Sequence, residues 1–264
     1  MTITKGKLNI GFTSVTLDKE INILRRAGTL IQTKTGLPVE VIYRKSYQEM
    51  SLLLETGGVD IAFVCGLPYI LDHEKFKAEL LVAPVFRGQP LYQSYLIVNA
   101  NSDITSLSGL RGKIFAFSDP LSNSGFLVPS YNLKMMNETP ERFFRSFFFT
   151  YSHADSIEAV ASGLADGANV DGYVWDAVSR LHPELARKTK VVARSPLMPI
   201  TPVVVRPGLP KALKSRLREI FIGFSGDQEG RKILDELYLD GFVMVDDAHY
   251  NSIREMYQTL KNRE

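Results

Sequence analysis

The sequence predicts an α/β fold built as two similar lobes, and three observations predict it. Strand-like and helix-like segments alternate along the chain, a shift of 106 residues lays the first half on the second, and two apolar strands bracket that second half. With 264 residues and 45% hydrophobic content, the chain can bury one large core or two moderate ones.

Taken in order, "KLNIGF" reads as a first strand, followed by a helix around Asp18 to Thr33 that Gly36 and Pro38 close off. "VEVIY" is a second strand, Tyr47 to Glu55 a helix, and "VDIAFV" a third strand. The same order returns as "GKIFAF", a helix after Ser124, "SFFFTY", a helix from about Asp155, and "ADGANV". The shift pairs Gly6-Lys7 with Gly112-Lys113, Ser46 with Ser152, Gly57 with Gly163, Asp60 with Asp166 and Gly66 with Gly172, in one register without a gap. A period this long belongs to duplicated lobes rather than to a solenoid.

"YQSYLIVNANSD" and "PITPVVVRPGLP" read as crossing strands, at about residues 92 to 99 and 199 to 206. The expected division is therefore a discontinuous first lobe, residues 1–93 plus 206–264, and an inserted second lobe, residues 94–205. The tail's three helix-like stretches are expected to return to the first lobe. Two connecting strands predict a hinge, with a small-ligand cleft between the lobes.

Composition narrows the function. The formal net charge is +2, and "LRRAG" and "PKALKSRLRE" read as solvated helix faces, so nucleic acid is not an expected partner. The single cysteine, Cys65, rules out an internal disulfide or a cysteine metal cluster and reads as a core thiol. His73, His153, His182 and His249 show no metal-ligand spacing, and no cofactor motif is present. No segment approaches the roughly 18 apolar residues of a membrane span. "MTITKGKLNIGF" runs straight into a strand, so either the protein is cytoplasmic or an export segment is missing from this sequence.

The stretch "SDPLSNSGFLVP", Ser118 to Pro129, carries the strongest site signal. Ser122, Asn123 and Ser124 precede Gly125 at a predicted helix start that follows a strand. Unpaired amides, the helix dipole and short hydroxyls there make a neutral anion cradle; ordinary N-capping is the alternative. Ser46 with Glu49 forms a capping-box pattern that puts Tyr47 in the first turn of a helix, and the shift sets His153 at the equivalent position. Thr13 and Ser14 follow the first strand in the manner of Asp119 and Pro120. Tyr92 fits either a cleft or a core, Asp171 either a ligand contact or a turn cap. Tyr69 and Trp175 read more readily as helix packing than as aromatic walls. Asp60 and Asp166 are assigned to solvating strand starts.

"DPLSNSGFLVP", "SYQEMSLLLETGGVDIAF", "GQPLYQSYLIV" and "SHADSIEAVASGLADGANVD" together resemble the phosphate/phosphite/phosphonate solute-binding proteins of ABC transporters. These are type 2 periplasmic binding proteins, two lobes joined by two strands. The resemblance implies that Ser122, Asn123, Ser124 and His153 bind phosphoryl oxygens, with Tyr47 and Tyr92 closing from the other lobe. Asn123 departs from the threonine usual in relatives. Relatives that take aminoalkyl phosphonates bring acids to the ligand's amine; with Tyr173 and Thr201 at the expected cleft edge, Asp171 is the one acid nearby. A small oxyanion or simple phosphonate is the expected ligand, captured by interlobe closure and delivered to an ABC permease outside the cytoplasm. A sensing domain of a membrane-bound histidine kinase is the alternative. An enzyme on this fold is disfavoured, because no nucleophile has a base and a third residue to orient it.

Overall fold

The computed structural model describes residues 6–13 and 20–262. In chain order it holds β1 (Leu8–Phe12), α1 (Glu20–Thr35), β2 (Val39–Tyr43), α2 (Tyr47–Thr56), β3 (Ile61–Phe63), α3 (Gly66–Phe76) and β4 (Glu79–Val85). Next come β5 (Leu91–Tyr92), β6 (Ser94–Asn99), β7 (Ile114–Phe117), α4 (Val128–Met135), α5 (Pro140–Phe143), β8 (Ser146–Phe149), α6 (His153–Ala161) and β9 (Gly167–Asp171). The rest is α7 (Gly172–Leu181), α8 (Pro183–Ala186), β10 (Thr189–Arg194), β11 (Met198–Pro199), β12 (Val203–Val205), α9 (Lys211–Ile222), α10 (Gln228–Glu236), β13 (Gly241–Val243) and α11 (Asn251–Lys261). The predicted helix start at Asp18 lies outside the described residues, as does Ser14.

The chain forms two compact units, Met1–Leu91 with Pro199–Tyr250, and Tyr92–Met198 with Asn251–Glu264. The first holds a six-stranded sheet in the order β13-β4-β12-β3-β1-β2. β1 lies parallel to β2 and β3, and β12 runs antiparallel between β3 and β4. β1 reads LNIGF and is buried throughout, the pattern of a central strand covered on both faces. Gly11 lets α2 settle on it: a Cβ there would stand 2.3 Å from Met50 Sδ. Phe63, Phe221, Phe224 and Phe242 pack edge and face beneath α9.

The second unit repeats the plan in five strands, β10-β6-β9-β7-β8. β7 is parallel to β8 and β9, while β6 is antiparallel to β9 and β10. Its core is phenylalanine-rich: Phe115 stacks on Phe144 with centroids 4.4 Å apart, and Phe117, Phe143 and Leu133 complete the cluster. The expected boundaries change at the second crossing and at the tail. Residues 199–205 belong to the first unit, because β12 pairs there between β3 and β4. α11 groups with the second unit rather than the first, burying Ile253 and receiving at Asn262 C=O a hydrogen bond from Lys134 Nζ (2.6 Å). Tyr92 likewise groups with the second unit.

The repeat is visible in the backbone. Ser46 Oγ accepts the Glu49 amide at 3.4 Å, Ser152 Oγ the Asp155 amide at 3.2 Å, and Gly57 and Gly163 end their segments at φ 75° and 80°. The first strands depart from the gapless register. The Asp60 carboxylate accepts the Asn9 amide, and Asp166 accepts that of Ile114, so β1 and β7 correspond at a shift of 105 rather than 106. Identity at Gly6 and Gly112 hides this one-residue slip, because the ladder bonds of β1 and β7, not the glycines before them, set the pairing. The slip makes Thr13 the counterpart of Ser118 rather than of Asp119. Asp60 and Asp166 thus pair with strand backbone, and Asp60 also holds Arg206 at 2.8 Å.

Candidate functional site

The site is built where β7 gives way to a helix. The Asp119 carbonyl accepts the Ser122 amide (2.8 Å) and its carboxylate accepts that of Leu121 (2.7 Å), which turns the chain sharply after Phe117. Ser122, in extended conformation, caps the helix: its Oγ accepts the Gly125 amide at 3.0 Å. Asn123–Leu127 then make a widened π turn, in which the Ser122 carbonyl takes the Leu127 amide at 2.9 Å, before α4 begins with Pro129 in its first turn. The opening turn leaves amides without intrahelical acceptors at the positive end of the helix dipole. Gly125 is required by contact: a Cβ would stand 2.0 Å from Ser118 Oγ and 3.1 Å from His153 Cε1.

His153 opens α6, and its ring is oriented from the neighbouring strand. Asp171, at the end of β9, donates its backbone N–H to Nδ1 at 3.1 Å. Nδ1 is therefore the acceptor, the hydrogen sits on Nε2, and Nε2–H points to Ser122 Oγ at 3.4 Å. Burial pushes the imidazole down to about 3, so it is neutral at physiological pH. The Asp171 carboxylate caps α7, accepting the amides of Tyr173 (2.8 Å) and Val174 (3.4 Å). Burial nonetheless raises it to about 7, outweighing those two amides.

Polar groups are concentrated here without charge to balance them. Ser122, Asn123 and Ser124 are 0% exposed and Ser118 1%. The hydroxyls of Ser118 and Ser124 are buried without a hydrogen-bond partner in the protein, each at a cost of about 1–3 kcal/mol. Behind them, Ser94 Oγ donates to the Ser124 carbonyl (2.8 Å) and accepts from Asn169 Nδ2 (2.8 Å), which pins the turn to the sheet. Asn123 Nδ2 donates to Tyr92 Oη at 2.9 Å. A cavity of about 540 Å³ in the same unit shares Ser94 and Asn169 with this network, and its wall mixes apolar residues such as Leu96 and Met256 with polar ones such as Arg194 and Glu255.

Of the residues nominated from sequence, Ser122, Asn123, Ser124, Gly125, His153, Asp171 and Tyr92 all fall in the second unit. Tyr47 lies buried at the first position of α2 in the first unit. Asp171 turns its carboxylate to the helix cap and its amide to His153. Sequence reasoning missed Ser118, Ser94 and Asn169; the run "SDPLSNSG" contained the first, and the other two sit singly on apolar strands with no pattern to mark them. Tyr69 donates to Asp247 at 2.7 Å and packs on Tyr250, and Trp175 donates to Thr189 at 3.2 Å, as helix packing requires. Thr13 is buried, its hydroxyl 3.5 Å from the Phe63 carbonyl. Among the described residues no group of three or more His, Cys, Asp or Glu side chains gathers to hold a metal, and no helix is long and apolar enough to cross a membrane.

Comparison with known proteins agrees with this architecture. The phosphonates-binding periplasmic protein of Escherichia coli K12 is 28% identical over 231 residues, covering 86% of this chain and 68% of that protein. A binding-protein component of an ABC phosphonate transporter from Pseudomonas aeruginosa superposes with a TM-score of 0.90 at 28% identity, covering 96% of this chain and 86% of that one. PhnD1 of Prochlorococcus marinus, solved with methylphosphonate, shares the fold at a TM-score of 0.88 and 18% identity over 97% of this chain and 98% of its own. The family model described as ABC transporter, phosphonate, periplasmic substrate-binding protein matches residues 10–250. The chain thus belongs to the family of periplasmic substrate-binding proteins of phosphonate ABC transporters.

Proposed function

We propose that this chain captures a small phosphonate or related phosphorus oxyanion at the Ser122–Gly125 turn and delivers it to an ABC importer from the extracytoplasmic side. The observation that carries the reading is the pair of buried, unpartnered hydroxyls, Ser118 and Ser124, beside a helix N-terminus and a neutral His153 donor. A phosphoryl oxygen offers these groups the acceptors that the protein does not. Ser122, Ser124, Gly125 and His153 are proposed as the principal contacts. Asn123 orients Tyr92, and Tyr47 and Tyr92 are proposed to add hydroxyl contacts. Asp171 acts through His153 rather than on the ligand.

No covalent step belongs to this reading. The imidazole is oriented by an amide instead of a carboxylate, and burial makes it a weak base, which is the reverse of what activates a serine nucleophile. A thermal-shift screen followed by calorimetry tests the proposal, with methylphosphonate, aminoalkyl phosphonate, phosphite, phosphate and sulfate as probes. Stabilisation by at least one phosphorus oxyanion is expected, with sulfate weaker. Stabilisation by none of them would remove the assignment.

A further inference from the structure

We infer that the Ser122–Gly125 turn selects its ligand by ionisation state, taking the dianion of a phosphonate or related oxyanion over the monoanion that carries a P–OH. The inference rests on the anion-binding reading above and adds which ionic form is held. The direction of the hydrogens argues for it. His153 Nδ1 is engaged by the Asp171 amide, so Nε2 presents a hydrogen. Ser122 Oγ already accepts the Gly125 amide at 3.0 Å and lies 3.4 Å from His153 Nε2. The one Nε2 hydrogen either goes to the ligand or is taken by Ser122, whose own hydrogen then goes to the ligand. The pair supplies one donor in either arrangement. The amides of the opening turn are donors by nature. The Ser118 and Ser124 hydroxyls can turn either way and Asn123 Oδ1 is an acceptor, which with the turn amides still leaves donors in the majority.

A phosphonate dianion presents three bare oxygens, each able to accept. Protonating one of them sets a hydrogen against this array, and a donor that meets it loses its bond while staying buried. One such lost pairing weakens binding by about tenfold or more. Because Ser124 can accept one P–OH, the preference is finite, and the monoanion is held weakly rather than refused.

The titratable groups around the turn are His153 on α6, Asp171 at the head of α7, Asp119 in the loop after β7, Tyr92 on β5 and Tyr151 in the loop after β8. His153 stays neutral across the working range. The Asp119 carboxylate accepts the Leu121 amide. Asp171, raised to about 7, titrates in the same region as the second ionisation of a phosphonate and is the protein group whose effect must be separated from the ligand's own.

Two ligands of similar shape and different acidity make that separation. Calorimetric affinities of the full chain for methylphosphonate and chloromethylphosphonate are measured from about pH 5 to about pH 9. The chlorine withdraws electrons and lowers the second ionisation. Affinity is expected to fall about tenfold per pH unit below each ligand's own second ionisation, towards a monoanion plateau, so the two curves are displaced along the pH axis. Asp171→Asn is expected to change the absolute affinity and keep the displacement. Curves that break at one shared pH, or that are flat, would overturn the inference while leaving anion capture intact. Failure of both ligands to bind at any pH would instead overturn the anion reading, and this inference with it.

Discussion

The backbone amide of Asp171 donates to Nδ1 of His153 at 3.1 Å, while the carboxylate of the same aspartate caps the following helix. One residue thereby fixes both the tautomer of the imidazole and the end of β9 that delivers the amide. The histidine is left as a neutral donor, a form suited to releasing an anion as readily as it binds one, without the grip of an arginine pair.

His153→Ala is expected to weaken methylphosphonate binding by about 10–150-fold, the worth of one hydrogen bond to a charged acceptor. The stability consequence has a definite sign. A base whose folded value is lowered from 6.5 to about 3 contributes stability that is present above about pH 6.5 and lost as pH falls toward 3. His153→Gln is therefore expected to flatten the acid limb of a Tm-against-pH profile. An NMR titration showing the His153 ring protonating between about pH 6 and 7 would contradict the account.

Gly125→Ala places a methyl 2.0 Å from Ser118 Oγ and is expected to destabilise the fold by about 1–3 kcal/mol and to abolish binding. Ser118→Gly in the same chain removes the obstructing side chain and is expected to restore part of the stability. A double-mutant cycle in urea reads the coupling. Strict additivity of the two changes would show that the close approach is not the reason for the glycine.

In the first unit, Asp72 is buried between α2 and α3 with the Ser51 hydroxyl on its carboxylate at 2.8 Å. Burial raises it from 3.8 to about 7, against the pull of Ser51 and Lys75. Its stabilising contribution is complete below about pH 4 and lost as pH rises through about 7. The stability of Asp72→Asn relative to the parent is expected to rise by about 2–4 kcal/mol between those limits. A pH-independent difference would show that the carboxylate ionises freely.

Much of this was legible in the sequence, for physical reasons. β1 and β7 are apolar runs with turn residues behind them, and Ser46, Ser152, Gly57 and Gly163 mark helix ends by rules that need no tertiary context. The cradle was legible because small hydroxyls before a glycine at a helix start have few other uses. What escaped depends on three-dimensional neighbours. β13 has only three residues and β4 carries a proline next to its last residue, so neither declares itself as a strand. The one-residue slip between β1 and β7 is set by ladder bonds. α11 carries a narrow apolar stripe that would suit either unit, and the buried Ile253 with Lys134 at its end decides for the second. Ser94 and Asn169 look like stray polar residues on strands until the Ser124 carbonyl is seen between them and α4.

Ser124→Ala asks the central question most directly. If the buried hydroxyl is kept for a guest, its removal is expected to leave the unliganded protein as stable as the parent or up to about 1 kcal/mol more stable, since an unsatisfied polar group is lost. The same change is expected to cut methylphosphonate affinity by about tenfold or more. Calorimetry and urea unfolding on one preparation read both. Unchanged affinity together with lower stability would contradict the account, because the hydroxyl would then be serving the fold and not a bound anion.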